Sequence, residues 1–133
     1  MARTPIELRR IANDPALFHR AAAVGTVVGL AGLLAAHPFH ARASDLPWEG
    51  MSGFRWRFRD TWSQRWWPQG IALGSSRGVP FAVVSWYAQP RRGRGAGSRV
   101  TVVDLRDLRR PKYWHVLLVE PRATPAGAIF DPV

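Results

Sequence analysis

Trp67-Pro68-Gln69-Gly70-Ile71-Ala72-Leu73 is the first of four short apolar runs, and the other three are Val79 to Tyr87, Arg99 to Leu105 and Tyr113 to Glu120. Each is closed by residues that favour turns: Gly74 to Gly78 as a hairpin loop, Gln89 to Ser98 as a Pro, Arg and Gly-rich link, and Asp107 to Lys112 as a last turn. Trp66 opens this grammar, with Pro68 at a strand start where a missing N–H costs least and Gly70 where a neighbouring backbone comes close. The spacing predicts a mainly β chain with a single four-stranded antiparallel meander, the size of one propeller blade. Val79 to Tyr87 is too continuously apolar to leave one face in water, so it predicts a strand covered on both sides. That cover calls for another chain or further blades to complete the packing.

A chain of 133 residues bounds the rest. It holds one domain at most, near the size where a core becomes marginal. The chain reads as a signal peptide or membrane anchor over 1–43, an irregular leader over 44–65, the blade-like sheet over 66–121 and a tail over 122–133. The formal net charge of +10 comes almost wholly from arginine, since Lys112 is the only lysine. Lysine-free basicity of this kind is a common codon effect of GC-rich genomes, so a solvated basic surface is preferred to a nucleic-acid partner. With no cysteine there is no disulfide framework, thiolate nucleophile or Cys-ligated zinc.

Arg3, Arg9, Arg10 and Arg20 precede an uncharged run from Ala21 to Ala36, followed by His37-Pro38-Phe39-His40 and then Ala41-Arg42-Ala43-Ser44. A basic region, a short apolar region, a helix breaker and an A-x-A site describe a secretory signal cleaved between Ala43 and Ser44, with Ala41 and Ala43 as the small residues. The alternative is an uncleaved single-pass anchor with the N-terminus inside. Thr4-Pro5-Ile6-Glu7 forms a capping box and Asp14-Pro15 another helix start, and a helix from Pro15 to Ala36 would be about 33 Å long. Both readings place the remainder outside the cytoplasmic membrane, secreted or in the envelope.

Phe54-Arg55-Trp56-Arg57-Phe58-Arg59 alternates aromatic and basic residues with a strand's period. It reads as an edge strand with Phe54, Trp56 and Phe58 on one face; the functional reading is a strip for single-stranded nucleic acid or a membrane surface.

The order Pro68-Gln69-Gly70-Ile71, Val83-Val84-Ser85-Trp86-Tyr87, Ser98-Arg99-Val100-Thr101-Val102-Val103-Asp104-Leu105 and Tyr113-Trp114-His115-Val116-Leu117-Leu118-Val119-Glu120-Pro121 resembles the first blade of secreted β-propeller-like proteins of GC-rich bacteria, most of them of unassigned function. The resemblance covers Trp66 to Pro121. It implies an extracellular scaffold or binding role and further blades, and it carries over no catalytic residue.

No coherent catalytic, cofactor or metal set emerges. Gly74-Ser75-Ser76-Arg77-Gly78 fits G-x-S-x-G, with Asp104 or Asp107 and His115 following, but a nucleophile elbow needs a helix where Val79-Pro80-Phe81 begins a strand. Asp104 and Asp107 read as turn residues, and His115 as a packed histidine. His37 and His40 lack a third ligand and straddle Pro38. Arg91-Arg92-Gly93-Arg94-Gly95 reads as a solvated loop. Tryptophan stands apart: of seven, Trp48, Trp56, Trp62, Trp66, Trp67 and Trp86 fall in one stretch. Trp56, Trp62, Trp66, Trp67 and Trp86 are the candidate binding surface, where indole faces stack on sugars or pack between blades. The functional expectation is a non-enzymatic exported or envelope-associated scaffold or binding blade. Its alternative is a piece of a larger secreted propeller enzyme or carbohydrate-binding protein.

Overall fold

The computed structural model describes residues 14–23, 25–26, 28–45, 52–89 and 97–132. The capping box at Thr4 to Glu7, Trp48 and the arginine-glycine tract at 91–95 lie outside them. In chain order the elements are α1 (Pro15–Ala22), α2 (Leu30–Ala35), β1 (Phe39–His40), β2 (Arg42–Asp45), β3 (Ser52–Arg55), α3 (Phe58–Thr61), β4 (Trp66–Ser76), β5 (Val79–Ala88), β6 (Ser98–Asp104), β7 (Lys112–Thr124) and β8 (Gly127–Pro132). The chain is mainly β, built on a curled antiparallel sheet.

The meander from β4 to β7 pairs each strand with the next, and its register decides which residues meet. Directly opposed residues share a face. One row therefore runs Leu73, Ala82, Val103, Tyr113; the next runs Ile71, Val84, Thr101, His115; a third runs Pro68, Trp86, Arg99, Leu117. Ala82, Val84, Trp86, Val103, Tyr113 and Thr101 are all buried. Phe39, Phe54, Trp56 and Leu105 close over Ala41, Ala82, Val103 and Tyr113 to make the core.

The hairpin between β4 and β5 is tighter than the Gly74 to Gly78 loop read from sequence. Strand β4 continues through Ser76, and the turn is Arg77-Gly78, with φ of 49° and 77°. Two left-handed residues match the right-handed twist of a hairpin, and Gly78 takes its conformation without a Cβ clash. Gly74 lies inside β4 because the Phe81 ring crosses it: an added Cβ would stand 2.9 Å from Phe81 Cζ. A bulge between Pro68 and Gly70 shifts the register where Pro68 lacks a ladder donor.

Four expectations change. Strand β5 is not covered on both faces: Ala82, Val84, Trp86 and Ala88 are buried, whereas Ser85 and Tyr87 are exposed and Phe81 and Val83 half-buried. Its continuous apolarity disguised an alternating strand. The alternation from Phe54 to Arg59 stops at Arg55, since the chain coils into the single turn α3 and leaves Phe58 77% exposed instead of on the aromatic face. Residues 122–132, set aside as a tail, complete β7 and form β8, joined by an Arg122 to Asp131 ion pair at 2.8 Å. Finally, Pro15 to Ala36 is not one helix. Asp14 does cap α1, its carboxylate accepting the Ala16 N–H at 2.9 Å, but α1 ends at Ala22 and α2 starts at Leu30.

No helix among the described residues is long and apolar enough to cross a membrane. Instead α1 lies against β8, with Phe18 edge-on to Phe130 at 5.7 Å. The segment after α2 joins the sheet: Trp114 Nε1 donates to the Ala36 carbonyl at 3.2 Å, and β1 pairs with the start of β7. Ala41 is 1% exposed, with its N–H donating to the Pro111 carbonyl at 2.9 Å.

Candidate functional site

The turn α3 places one carboxylate over the sheet. Its first residues are held by the Asp60 and Thr61 N–H groups donating to the Arg57 carbonyl, and the Thr61 hydroxyl donates back to the Trp56 carbonyl at 2.9 Å. Asp60 is thereby buried above the rows that carry Tyr113, His115 and Arg99. The Tyr113 hydroxyl donates to Oδ2 at 2.6 Å, and Arg57 Nε donates to the same oxygen at 3.1 Å. Near Oδ1, His115 Nε2 stands at 3.1 Å, off the line of a good hydrogen bond, and an Arg99 guanidinium nitrogen stands at 3.7 Å. The Arg57 backbone N–H donates to the Tyr113 oxygen at 3.3 Å. A buried charge must be paired, and this one meets cations or donors from three elements.

Electrostatics follow from that arrangement. Burial alone would raise the Asp60 pKa, but the contacts from His115, Tyr113 and Arg57 outweigh it and hold the carboxyl well below the usual carboxylate range. Burial, reinforced by donation to Asp60, pushes the Tyr113 phenol up. Arg99 is lowered by burial, against the pull of Asp60, and stays cationic because guanidinium remains charged at any ordinary pH. Arg99 is 8% exposed, with its Cζ 4.6 Å from the Trp66 ring centroid and 4.8 Å from that of Trp86. The two indole faces thus take up a guanidinium whose Nε and one terminal nitrogen have no hydrogen-bond partner.

Beside this cluster a cleft of about 250 Å³ opens between α3 and the start of β4. Trp56, Trp66, Trp67 and Trp86 line it together with Pro68, Asp60, Thr61 and Ser63. Trp86 forms the buried wall, edge-on to Trp56 at 5.4 Å, while Trp67 is 46% exposed at the mouth. The structure therefore brings four of the five sequence-read tryptophans into one cleft. Trp62 is not among them: it stands 71% exposed over the neighbouring groove, beside Phe58 at 6.4 Å.

The other candidates fall elsewhere. Ser76 ends β4 at the hairpin, and His115 sits in the row of Thr101, so no Ser76-centred triad forms. Thr101 Oγ1 and His115 Nδ1 lie 2.7 Å apart, completing a hydroxyl, imidazole and carboxylate chain with Asp60, but Thr101 is 0% exposed. Asp104 is held below the usual carboxylate range, chiefly by hydrogen bonds from the Arg106 side chain, and Asp107 accepts backbone N–H groups of its own turn. His37 and His40 belong to no cluster of three metal-ligating side chains among the described residues. Ala41, Ala43 and Ser44, read as a cleavage site, lie at the core and on β2.

Sequence reading missed Asp60 altogether. Its partners on β6 and β7 are 39 to 55 positions away, and the local signal is its other partner, Arg57 three residues earlier, the spacing of an ion pair on one turn. Comparison with protein-family models, curated proteins and solved structures finds no match.

Proposed function

We propose that this chain is a non-enzymatic, exported or envelope-associated binding blade, and that the tryptophan cleft is its contact surface for an uncharged, ring-shaped polyol such as a segment of oligosaccharide. The observation that carries the reading is the convergence of Trp56, Trp66, Trp67 and Trp86 with Asp60, Thr61 and Ser63 around one cleft. Indole faces with a few polar groups suit a sugar, whose C–H faces stack and whose hydroxyls hydrogen-bond. A cationic ligand fits less well, because Arg99 stands over Trp66 and Trp86, Arg65 is 5.5 Å from Trp66, and the Asp60 charge is matched by Arg57; stacking on a sugar ring therefore falls chiefly to Trp67, 46% exposed at the mouth. A binding role is favoured over catalysis because the Thr101 hydroxyl, which the imidazole could activate, is sealed from substrate.

Export rests on the basic N-terminal region and the uncharged run from Ala21 to Ala36. Of the two forms, the retained one is preferred, since Phe39 and Ala41 pack into the core and cleavage after Ala43 would remove both. A second reading, a blade completed by further strands or another chain, draws on Ile71 and Leu73. They are 70% and 76% exposed on β4, the edge of the sheet, in the same rows as buried Val84 and Ala82.

Titration of the intact chain with neutral oligosaccharides, followed by tryptophan fluorescence, tests the cleft. Saturable change is expected, with affinity at least ~10-fold weaker in Trp67→Ala, a loss of about 1.4 kcal/mol. Binding that ignores Trp67→Ala would show that the cleft is not the binding surface.

A further inference from the structure

A second face of the molecule carries positive charge that nothing in the fold uses. Two adjoining clefts, of about 410 and 770 Å³, share Arg42, Ala43 and Arg57. Arg109 and Arg110 line the first, and Arg55, Phe58 and Trp62 line the second. Among the described residues, no carboxylate lines either and no ion pair reaches Arg42, Arg55, Arg109 or Arg110. Arg57 is committed to Asp60. The Asp107 carboxylate beside this face accepts the backbone N–H groups of Arg109 and Arg110 at 3.0 and 3.3 Å, leaving their guanidinium groups free of it.

An independent observation makes the charge more than a solvated surface. Arg42 and Arg55 are directly opposed in the β2–β3 ladder. Like charges at that register repel across roughly 5 Å and weaken the pairing, and both side chains are exposed with no acid between them among the described residues. An anion seated over the pair converts the repulsion into attraction. Next to it, α3 presents Phe58 and Trp62, four residues apart on one side of the turn and both largely exposed. Guanidinium groups around protruding aromatic side chains match the boundary of an anionic bilayer, where phosphates lie level with the charges and indoles settle among the headgroups.

We infer that the groove formed by Arg42, Arg55, Arg109 and Arg110, with Phe58 and Trp62, docks on the phosphate headgroups of an anionic membrane surface. Continuity along the chain favours a membrane over a nucleic acid: Arg42 is six residues beyond Ala36, the end of the uncharged run. None of the six groove residues lines the tryptophan cleft, so the two sites are tested separately.

The test is co-sedimentation of the full chain with vesicles of phosphatidylglycerol and phosphatidylcholine, against phosphatidylcholine alone, with oligothymidylate and inorganic phosphate as competitors. Binding to the anionic vesicles is expected at low salt, falling as salt rises, and at least ~10-fold weaker on phosphatidylcholine. Arg55→Glu removes two units of charge and places a carboxylate across from Arg42, so vesicle affinity should fall roughly 30-fold while the melting temperature holds or rises by a few degrees. Arg42→Gln serves as a second variant, with a smaller loss and an unchanged fold. Trp62→Ala should weaken vesicle binding several-fold without a change in melting temperature. Unchanged vesicle affinity in both arginine variants would overturn the inference and leave binding to the uncharged run. Oligothymidylate that binds more tightly than the vesicles, or millimolar phosphate that releases the protein, would also overturn it.

Discussion

Asp60 is the residue on which α3, β6 and β7 converge, and its removal should be the costliest single polar change. Asp60→Asn keeps the shape but leaves Arg57 and buried Arg99 without a counter-charge, so a loss of about 3 kcal/mol is expected in urea unfolding. Tyr113→Phe deletes a hydrogen bond to a carboxylate and should cost about 1.5 kcal/mol. The acid behaviour has a definite sign. A carboxyl held below its ordinary range in the folded state takes up protons more readily when unfolded, so its stabilising contribution is complete above about pH 5 and declines as pH falls through 4 and lower. Unfolding free energies measured from pH 7 to pH 3 should therefore drop less steeply in Asp60→Asn than in the native chain. Equal slopes would mean that Asp60 is not ionised in a protected site.

Among the elements, β1 with the residues just after it is the shortest and the most consequential. Phe39 meets Tyr113 and His115 at 5.5 and 5.6 Å and carries the Arg57 guanidinium 3.9 Å above its ring, and Ala41 is sealed in the core. Phe39→Ala should cost about 2 kcal/mol, less than a fully buried aromatic residue because Phe39 is half-buried. Intact mass of the folded protein recovered from cells is expected to include residues 39–43. A stable folded species beginning at Ser44 would show that the core forms without them. The β4–β5 hairpin gives a second element-scale expectation: Gly78→Ala, at φ 77°, should lower stability by about 1 kcal/mol although the added methyl enters open space. Calorimetric melting distinguishes this from the near-neutral result expected of a residue with negative φ.

At the scale of the molecule, the sheet was legible because it is written in local terms. Apolar runs closed by Gly, Pro and Asp place the ends of β4 to β7 within a few residues, and Asp14-Pro15 marks the start of α1. Less could be read where the deciding interaction is remote. Phe54 and Trp56 follow the strand period, but Asp60 binding to Tyr113 and His115 turns the chain into α3 and throws Phe58 outward. Abundance flagged the tryptophans, whereas only the β5–β6 register could show that Trp86 stands beside Arg99, which in turn faces Asp60. The apolarity of Val79 to Tyr87 read as a sign of cover on both faces, whereas β5 alternates buried and exposed positions; the exposed apolar residues Ile71 and Leu73 are instead on the edge strand β4. Leu73→Lys and Ile71→Lys should abolish any concentration-dependent association seen in sedimentation velocity, with little effect on melting, because both side chains are already in water.

The proposed binding role rests on the tryptophan cleft beside the Asp60 cluster receiving an uncharged ring. A heteronuclear NMR titration of the indole N–H signals, in the intact chain with neutral oligosaccharides, reads that arrangement site by site. Saturable shifts are expected for Trp66 and Trp67, with no shift for Trp114 and loss of the response in Trp67→Ala. Shifts confined to Trp62 or Trp114, or no saturable shift at millimolar oligosaccharide, would refute the role.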